Sequence, residues 1–252
     1  MLFVKRDVIT LYKQTILGPL WYLIQPLFTS VIFTLVFNNV AGIQTGDIPP
    51  FLFNLAGITT WNYFKECLTA TSDTFKKNEQ IFGKVYFPRI IMPMSVVVSN
   101  LLKFGIQLLI FIAFYIYYSL YLGSTIKPSM YIFLFPILVF SMGLLGLGLG
   151  MVISSMVTKY RDLTFLVSFG IKLLMYISLV VIPLSLFQEK GVEWLVMYNQ
   201  MGYIIEIARF LLLSEGNISQ FGIIYTGIYS IIIFLLGIVI FNKTEKTFID
   251  TI

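Results

Sequence analysis

The sequence predicts an all-α integral membrane protein: six transmembrane helices, an N-terminal amphipathic interface helix and a re-entrant helical segment between spans five and six. Three observations lead there. Of 252 residues, 58% are hydrophobic and only 12% charged, with mean hydropathy +0.89, against roughly 25% charged in soluble domains. The apolar residues come in runs of about twenty, the length that crosses a bilayer core, rather than in short alternating segments. Lys and Arg gather in every second connection, as they do on the cytoplasmic side of membrane proteins.

Along the chain, Val4, Val8, Tyr12 and Ile16 recur at steps of four, with Lys5, Arg6, Lys13 and Gln14 mostly on another face. That spacing predicts a helix lying along the membrane surface, within residues 1–19. Gly18-Pro19 ends it, and the run at about 20–42 is the first span, with Pro26 an expected kink. The second, about 51–73, is interrupted by Lys65, Glu66 and several threonines. The remaining spans fall at about 93–122, 130–157, 163–187 and 219–242.

Eleven cationic residues lie on one side: Lys5, Arg6, Lys13, Lys76, Lys77, Lys84, Arg89, Lys159, Arg161, Lys243 and Lys246. The other side holds Lys127, Lys190 and Arg209. This asymmetry places both termini and the 74–92 loop in the cytoplasm. The outer segment 188–218 contains "EWLVMYNQMGYIIEIARFLLL", helical in spacing but interrupted by Glu193, Asn199, Gly202, Glu206 and Arg209. Two short helices that dip into the outer leaflet fit it, with a surface-lying hairpin as the alternative; a seventh span would move the Lys243–Lys246 end outside.

Several function classes are excluded. One cysteine, Cys67, permits no disulfide within the chain, and the absence of His removes Cys/His zinc sites and histidine acid–base chemistry. The pI near 9.1 and charge of +5 report loop orientation rather than nucleic acid, since no basic tail or aromatic-basic repeat is present. "GLLGLGLG", 143–150, lacks the Lys-Ser/Thr ending of a phosphate loop and lies within span four, so Gly146 and Gly150 are read as close helix contacts. The chain carries no ATP site of its own. Lys5, Arg6 and Lys13 spread through an amphipathic stretch without a cleavage pattern, so the N-terminus is read as mature structure. "FYIYYSLY", 114–121, is read as an interfacial aromatic anchor, with sugar stacking as the alternative.

Charges inside spans carry more information, because an ion in the bilayer core is costly and faces a cavity, a partner or an interface. Lys65, Glu66, Lys103 and Lys172 are therefore candidates for a polar translocation path or for interhelical pairing.

The runs "KRDVITLYKQTILGPLWYLIQPLFTSVIFTLVF" (5–37), "NEQIFGKVYFPRIIMP" (78–93) and "MYNQMGYIIEIARFLLL" (197–213) resemble the membrane subunit of ABC-2-type polysaccharide exporters, the permeases for lipid-linked O-antigen, teichoic acid and capsule. The likeness runs in order over nearly the whole chain, with "LGPLWYLIQP" and "KVYFPRIIMP" the most specific pieces. The family commonly has Pro where this chain has Gln200, and more residues ahead of the first motif.

The resemblance implies a bacterial inner-membrane homodimer, each subunit docked on a separate ATPase subunit that binds ATP and Mg. Such a complex moves a lipid-linked glycan outward through surrounding membrane lipids. It also implies a coupling role for Phe75, Asn78, Ile81, Phe82, Lys84 and Arg89, a motor-proximal interface helix with Lys5, Arg6 and Lys13, and an outer gate with Trp194, Tyr198, Asn199 and Arg209. A sugar chain needs a wettable path with stacking surfaces, which adds Trp61 and Tyr63 as candidates.

Alternative readings are an ABC-2-type exporter of another amphiphile or drug, or a secondary transporter or channel using the buried Lys and Glu residues. No convincing repeat relates residues 1–125 to 126–252, as many secondary transporters would show. A membrane enzyme acting on lipid-linked sugars would need organised carboxylates; Glu189, Glu193, Glu206 and Glu215 form no motif.

Overall fold

The computed structural model describes residues 18–77, 90–121, 127–160, 162–192, 194–214, 216 and 220–249, and every regular element among them is helical. In chain order the α-helices are α1 (Trp21–Phe33), α2 (Pro50–Ser72), α3 (Ile91–Tyr121), α4 (Phe135–Lys159), α5 (Leu163–Ile177), α6 (Leu184–Glu189), α7 (Trp194–Met197), α8 (Gln200–Leu213) and α9 (Gln220–Ile249). The expected interface helix, with Lys5, Arg6 and Lys13, lies outside the described residues, as do residues 78–89 of the 74–92 loop.

Four stretches among the described residues are long and apolar enough to cross a membrane: Trp21–Val40, Ile91–Tyr121, Ile132–Lys159 and Phe221–Thr244. Each coincides with an expected span. The first joins α1 to a π-helical segment, Thr34–Val40, where the Ala41 N–H donates five residues back to the Val36 carbonyl at 3.0 Å. The π segment is tied to α2 by Asn54, whose Nδ2 donates to Thr34 Oγ1 at 3.1 Å and to Asn38 Oδ1 at 2.9 Å. Widened turns of this kind recur at functional positions.

α2 starts at Pro50, where a missing N–H costs nothing, and its 23 residues match the expected second span in length. Polar residues, among them Asn54, Thr59 and Thr60, dilute its hydropathy, yet these three are buried. α2 therefore belongs to the interior, against α3, α4 and α8, and its polar groups face neighbouring helices rather than lipid.

α4 is the axis of the assembly. A Cβ on Gly146 would lie 2.8 Å from Cys67 Cβ, one on Gly150 2.5 Å from Thr71 Cβ, and both partners belong to α2. On the opposite side, a Cβ on Gly148 would meet the Ile233 carbonyl oxygen at 2.7 Å, and one on Gly237 would meet the Gly148 oxygen at 2.6 Å. Glycines at these positions let the α2 and α9 backbones close on α4, the small-residue packing expected of "GLLGLGLG".

The fifth apolar run departs from expectation. Instead of a continuous helix over 163–187, α5 stops at Ile177 and α6 begins at Leu184. At about 1.5 Å per residue α5 reaches ~22 Å, short of a hydrocarbon core of roughly 30 Å. Two side-chain contacts hold the break, and a third orients one of them. Asn199 Nδ2 donates to Ser178 Oγ at 2.9 Å, its Oδ1 accepts from the Met201 N–H at 3.0 Å as the cap of α8, and Arg209 Nη2 donates to the Val180 carbonyl at 2.6 Å. Pro183, without an N–H, precedes α6. Between them Leu179, fully buried, sits in the left-handed region at φ 58°, a conformation costing a non-glycine residue roughly 1–2 kcal/mol.

Arg209 is itself 2% exposed, with its guanidinium carbon 3.6 Å from the Phe53 ring centroid. The approach depends on Gly57 of α2, since a Cβ there would stand 2.5 Å from the Val180 oxygen and 2.6 Å from Arg209 Nη2.

Gly148→Ala is expected to lower the thermal unfolding midpoint of the detergent-solubilised protein through an overpacking cost of about 1–3 kcal/mol, while Gly105→Ala, with nothing within 4 Å of the added Cβ, leaves it unchanged or raised. Arg209→Met strands the buried Val180 carbonyl at a cost of about 1–3 kcal/mol. Increased protease cleavage at 178–183 in that variant is the accompanying readout; an unchanged cleavage rate would show that Arg209 does not hold the break.

Candidate functional site

Helical spacing sets polar residues of three helices on facing sides. In α3, Asn100, Lys103 and Gln107 stand three and four residues apart and share a face, and in α2 Lys65 and Glu66 follow Asn62 by three and four residues and so flank it on either side. With Tyr22 and Gln25 from the start of α1, these residues border one narrow cleft enclosing about 30 Å³, room for roughly two waters.

Within it, Lys103 Nζ stands 3.4 Å from Glu66 Oε2 and 5.2 Å from the Tyr22 ring centroid. Lys65 Nζ is 3.5 Å from Asn62 Oδ1, a long hydrogen bond, and has no carboxylate partner among the described residues. The Lys103 side chain is 16% exposed and that of Glu66 41%, so the ion pair runs from the interior to the rim. Asn100 and Gln107 are buried at the inner wall, where the Asn100 amide meets the Cys67 sulfur and Gln107 Oε1 has no hydrogen-bond partner among the described residues.

Of the path candidates, the structure thus brings Lys65, Glu66, Lys103 and Tyr63 together. Tyr63 also packs on Phe104 at 5.0 Å between ring centroids. Trp61 is buried in the core beside Phe64 and does not border the cleft, and Lys172 is exposed on α5, away from it. Sequence reasoning missed Tyr22, Gln25, Asn62, Asn100 and Gln107. Their signal was present, because an amide three or four residues from a lysine inside an apolar run marks a shared polar face.

The outer-gate candidates divide. Trp194 and Tyr198 are exposed, whereas Asn199 and Arg209 turn inward as the cap and clamp of the 178–183 break. Tyr198 and Asn199 border a cavity of about 340 Å³ together with Gln200 and Tyr229. A larger cavity, about 820 Å³, lies between the 41–46 loop and α6, with Gln44, Ser185, Phe187, Glu189 and Lys190 on its walls.

Of the coupling candidates, Phe75 is the one within the described residues. Its side chain is buried and stacks on Phe241 of α9, ring centroids 4.5 Å apart. Met92, at the other end of the loop, enters the same cluster with Leu147 and Met151 of α4. Both ends of the loop are therefore pinned on α4 and α9. Asn78, Ile81, Phe82, Lys84 and Arg89 lie outside the described residues.

Against known proteins, the chain is 29% identical over 248 residues, 97% of its length and 91% of the relative's, to an O-antigen export system permease protein RfbA of Klebsiella pneumoniae. A second protein of that name from the same organism is 28% identical over the same shares. One from Myxococcus xanthus is 26% identical over 194 residues, 77% of this chain and 72% of the relative. Residues 1–213 match the family described as ABC-2 type transporter, a stretch that includes α1 to α8, the polar cleft and both ends of the 74–92 loop. With its apolar helices and its polar residues gathered in the interior, the chain is a membrane protein of the ABC-2 type transporter family.

Proposed function

We propose that this chain is the transmembrane subunit of an ATP-driven exporter that moves a lipid-linked polysaccharide of O-antigen type from the cytoplasmic to the outer side of a bacterial inner membrane. The observation carrying this is the near full-length similarity to relatives named as O-antigen export permeases. Two copies of the chain form the pore, and each docks a separate nucleotide-binding subunit that holds ATP and Mg.

In this reading the six spans are α1 with its π segment, α2, α3, α4, the broken pair α5–α6 and α9. Both termini are cytoplasmic, on the side with eleven of the loop cations. α7 and α8 form the outer re-entrant segment, in which backbone departing from a helix is tolerated because protein surrounds it. The break at 178–183 meets that condition, with Leu179, Val180 and Val181 buried and the Val180 carbonyl satisfied by Arg209.

The 74–92 loop receives the motor. Because Phe75 and Met92 are embedded beside α4 and α9, a displacement of the loop is passed to these two tightly joined helices together. A transport subunit of this kind has no chemistry of its own to perform, and its task is to offer alternating access in step with the ATPase.

Purification with the products of neighbouring genes tests the reading first: an ATPase subunit co-elutes and its hydrolysis is stimulated by the chain, and absence of both would end it. Phe82→Ala or Arg89→Gln is expected to abolish export while ATP hydrolysis and membrane abundance persist. Normal glycan export in both variants would remove the loop from the mechanism.

A further inference from the structure

Among the described residues, the cleft between α1, α2 and α3 is one negative charge short. It holds two ammonium groups, Lys65 and Lys103, and one carboxylate, Glu66; Lys103 takes that carboxylate at 3.4 Å, and Lys65 is left with an amide oxygen at 3.5 Å. An ammonium in a membrane domain is costly without a counter-charge.

The position of the cleft says what kind of anion reaches it. Lys65 is seven residues from the end of α2 at Ser72, about 10 Å along the axis, and Tyr22 and Gln25 lie within the first five residues of α1. Both ends face the cytoplasm in the orientation given by the loop cations, and basic pockets between helices at that level suit anionic lipid headgroups. Gln25 also belongs to an exposed stripe of α1, Trp21, Gln25, Phe28 and Ile32, at steps of three and four. The apolar members of the stripe continue from the cleft along the outside of the protein, where an acyl or prenyl chain would lie. An enclosed volume of 30 Å³ is too small for a phosphate group, so the anion sits at the rim beside Lys65 rather than within.

We propose that this cleft is a recognition site for the phosphate-bearing headgroup of a lipid in the inner leaflet, with the Lys65 ammonium as its principal ligand and Glu66 as an opposing charge. The headgroup is a phosphate ester or diphosphate, and its tail runs along Phe28 and Ile32. Glu66 neutralises Lys103 and repels the anion, which limits residence and lets the lipid move on. The site rests on the export reading only for the fate of the lipid once it has bound.

The test is equilibrium binding of spin-labelled phosphatidic acid, against spin-labelled phosphatidylcholine, to the full chain in phosphatidylcholine nanodiscs. Lys65→Gln, which breaks no ion pair, is expected to weaken phosphatidic acid binding about tenfold without lowering the unfolding midpoint. Glu66→Gln is expected to tighten it, and Lys103→Gln, which leaves the Glu66 charge uncompensated, to weaken it. A purely structural Lys103–Glu66 pair predicts a different pattern: both pair variants lose stability alike, and Lys65→Gln changes nothing. That pattern would overturn the proposal. Excess sodium pyrophosphate is expected not to displace the lipid, whose tail adds affinity; full displacement would overturn the lipid source in favour of a free phosphate site. No ATPase or transport enters the measurement, so selective binding without export would sink the export reading alone, and export without selective binding would sink this one.

Discussion

Backbone contact along α4 is the constraint on which the other helices depend. Apolar side chains gain little by leaving lipid for each other, so helices in a membrane associate through close packing and polar contacts. α4 supplies the first through Gly146 and Gly150 towards α2 and Gly148 towards Gly237 of α9. Once α2 is held against α4, its remaining faces are committed to α3 and α8, and its polar residues fall inside the protein. The cleft, the buried Asn54 tie to the π segment and the Gly57 opening for Arg209 all sit on this one helix. A change of spacing at α4 would shift every one of them.

α8 depends on the same arrangement from the other end. Its arginine crosses the Phe53 ring to reach the backbone of a broken helix, and its capping asparagine reaches the hydroxyl at that helix's last turn. Sequence-distant side chains thus stabilise a local conformation, including a left-handed leucine, that the local sequence disfavours. Strain of this sort persists where the surroundings over-determine it, and the break joins the apolar α5 to the segment assigned to the outer face.

Much of the fold was legible because hydropathy is a local property. α3, α4, α9 and α1 with its π segment match their apolar runs closely, and the Gly146 and Gly150 contacts of α4 could be read from the sequence, whereas the approach of Gly148 to Gly237 on α9 could not. α2 was harder, since its polar residues dilute the signal for the physical reason that they face protein. The end of α5 at Ile177 was not legible: "VIPLSL" is apolar almost throughout, and the groups that stop the helix lie more than twenty residues later. Among candidate site residues, charge served better than aromaticity. Lys65, Glu66 and Lys103 do converge, because a membrane interior forces ions together, whereas Trp61 fills the core as any large apolar side chain can.

Arg209, Lys172 and the charged residues of the cleft end in three environments, and the difference limits what each can do. Arg209 is enclosed, with a guanidinium whose flat face is covered by Phe53 and whose fork reaches the Val180 carbonyl; such a group orders backbone and cannot meet a passing substrate. Lys172 is exposed on α5, so its surroundings are set by whatever lies against that helix in the membrane, lipid or a second copy. The cleft is intermediate: Lys103 is mostly shielded, Glu66 reaches the rim, and water-sized space separates them from buried amides. Of these three environments, the cleft is the one whose charges are near enough to the surface to exchange partners and near enough to each other for one exchange to alter the next. In the proposed export, movement delivered by an ATPase has to become changed affinity within the membrane subunit, and a small polar cleft at the junction of three helices is where a modest shift of α2 against α3 would change the balance of charge.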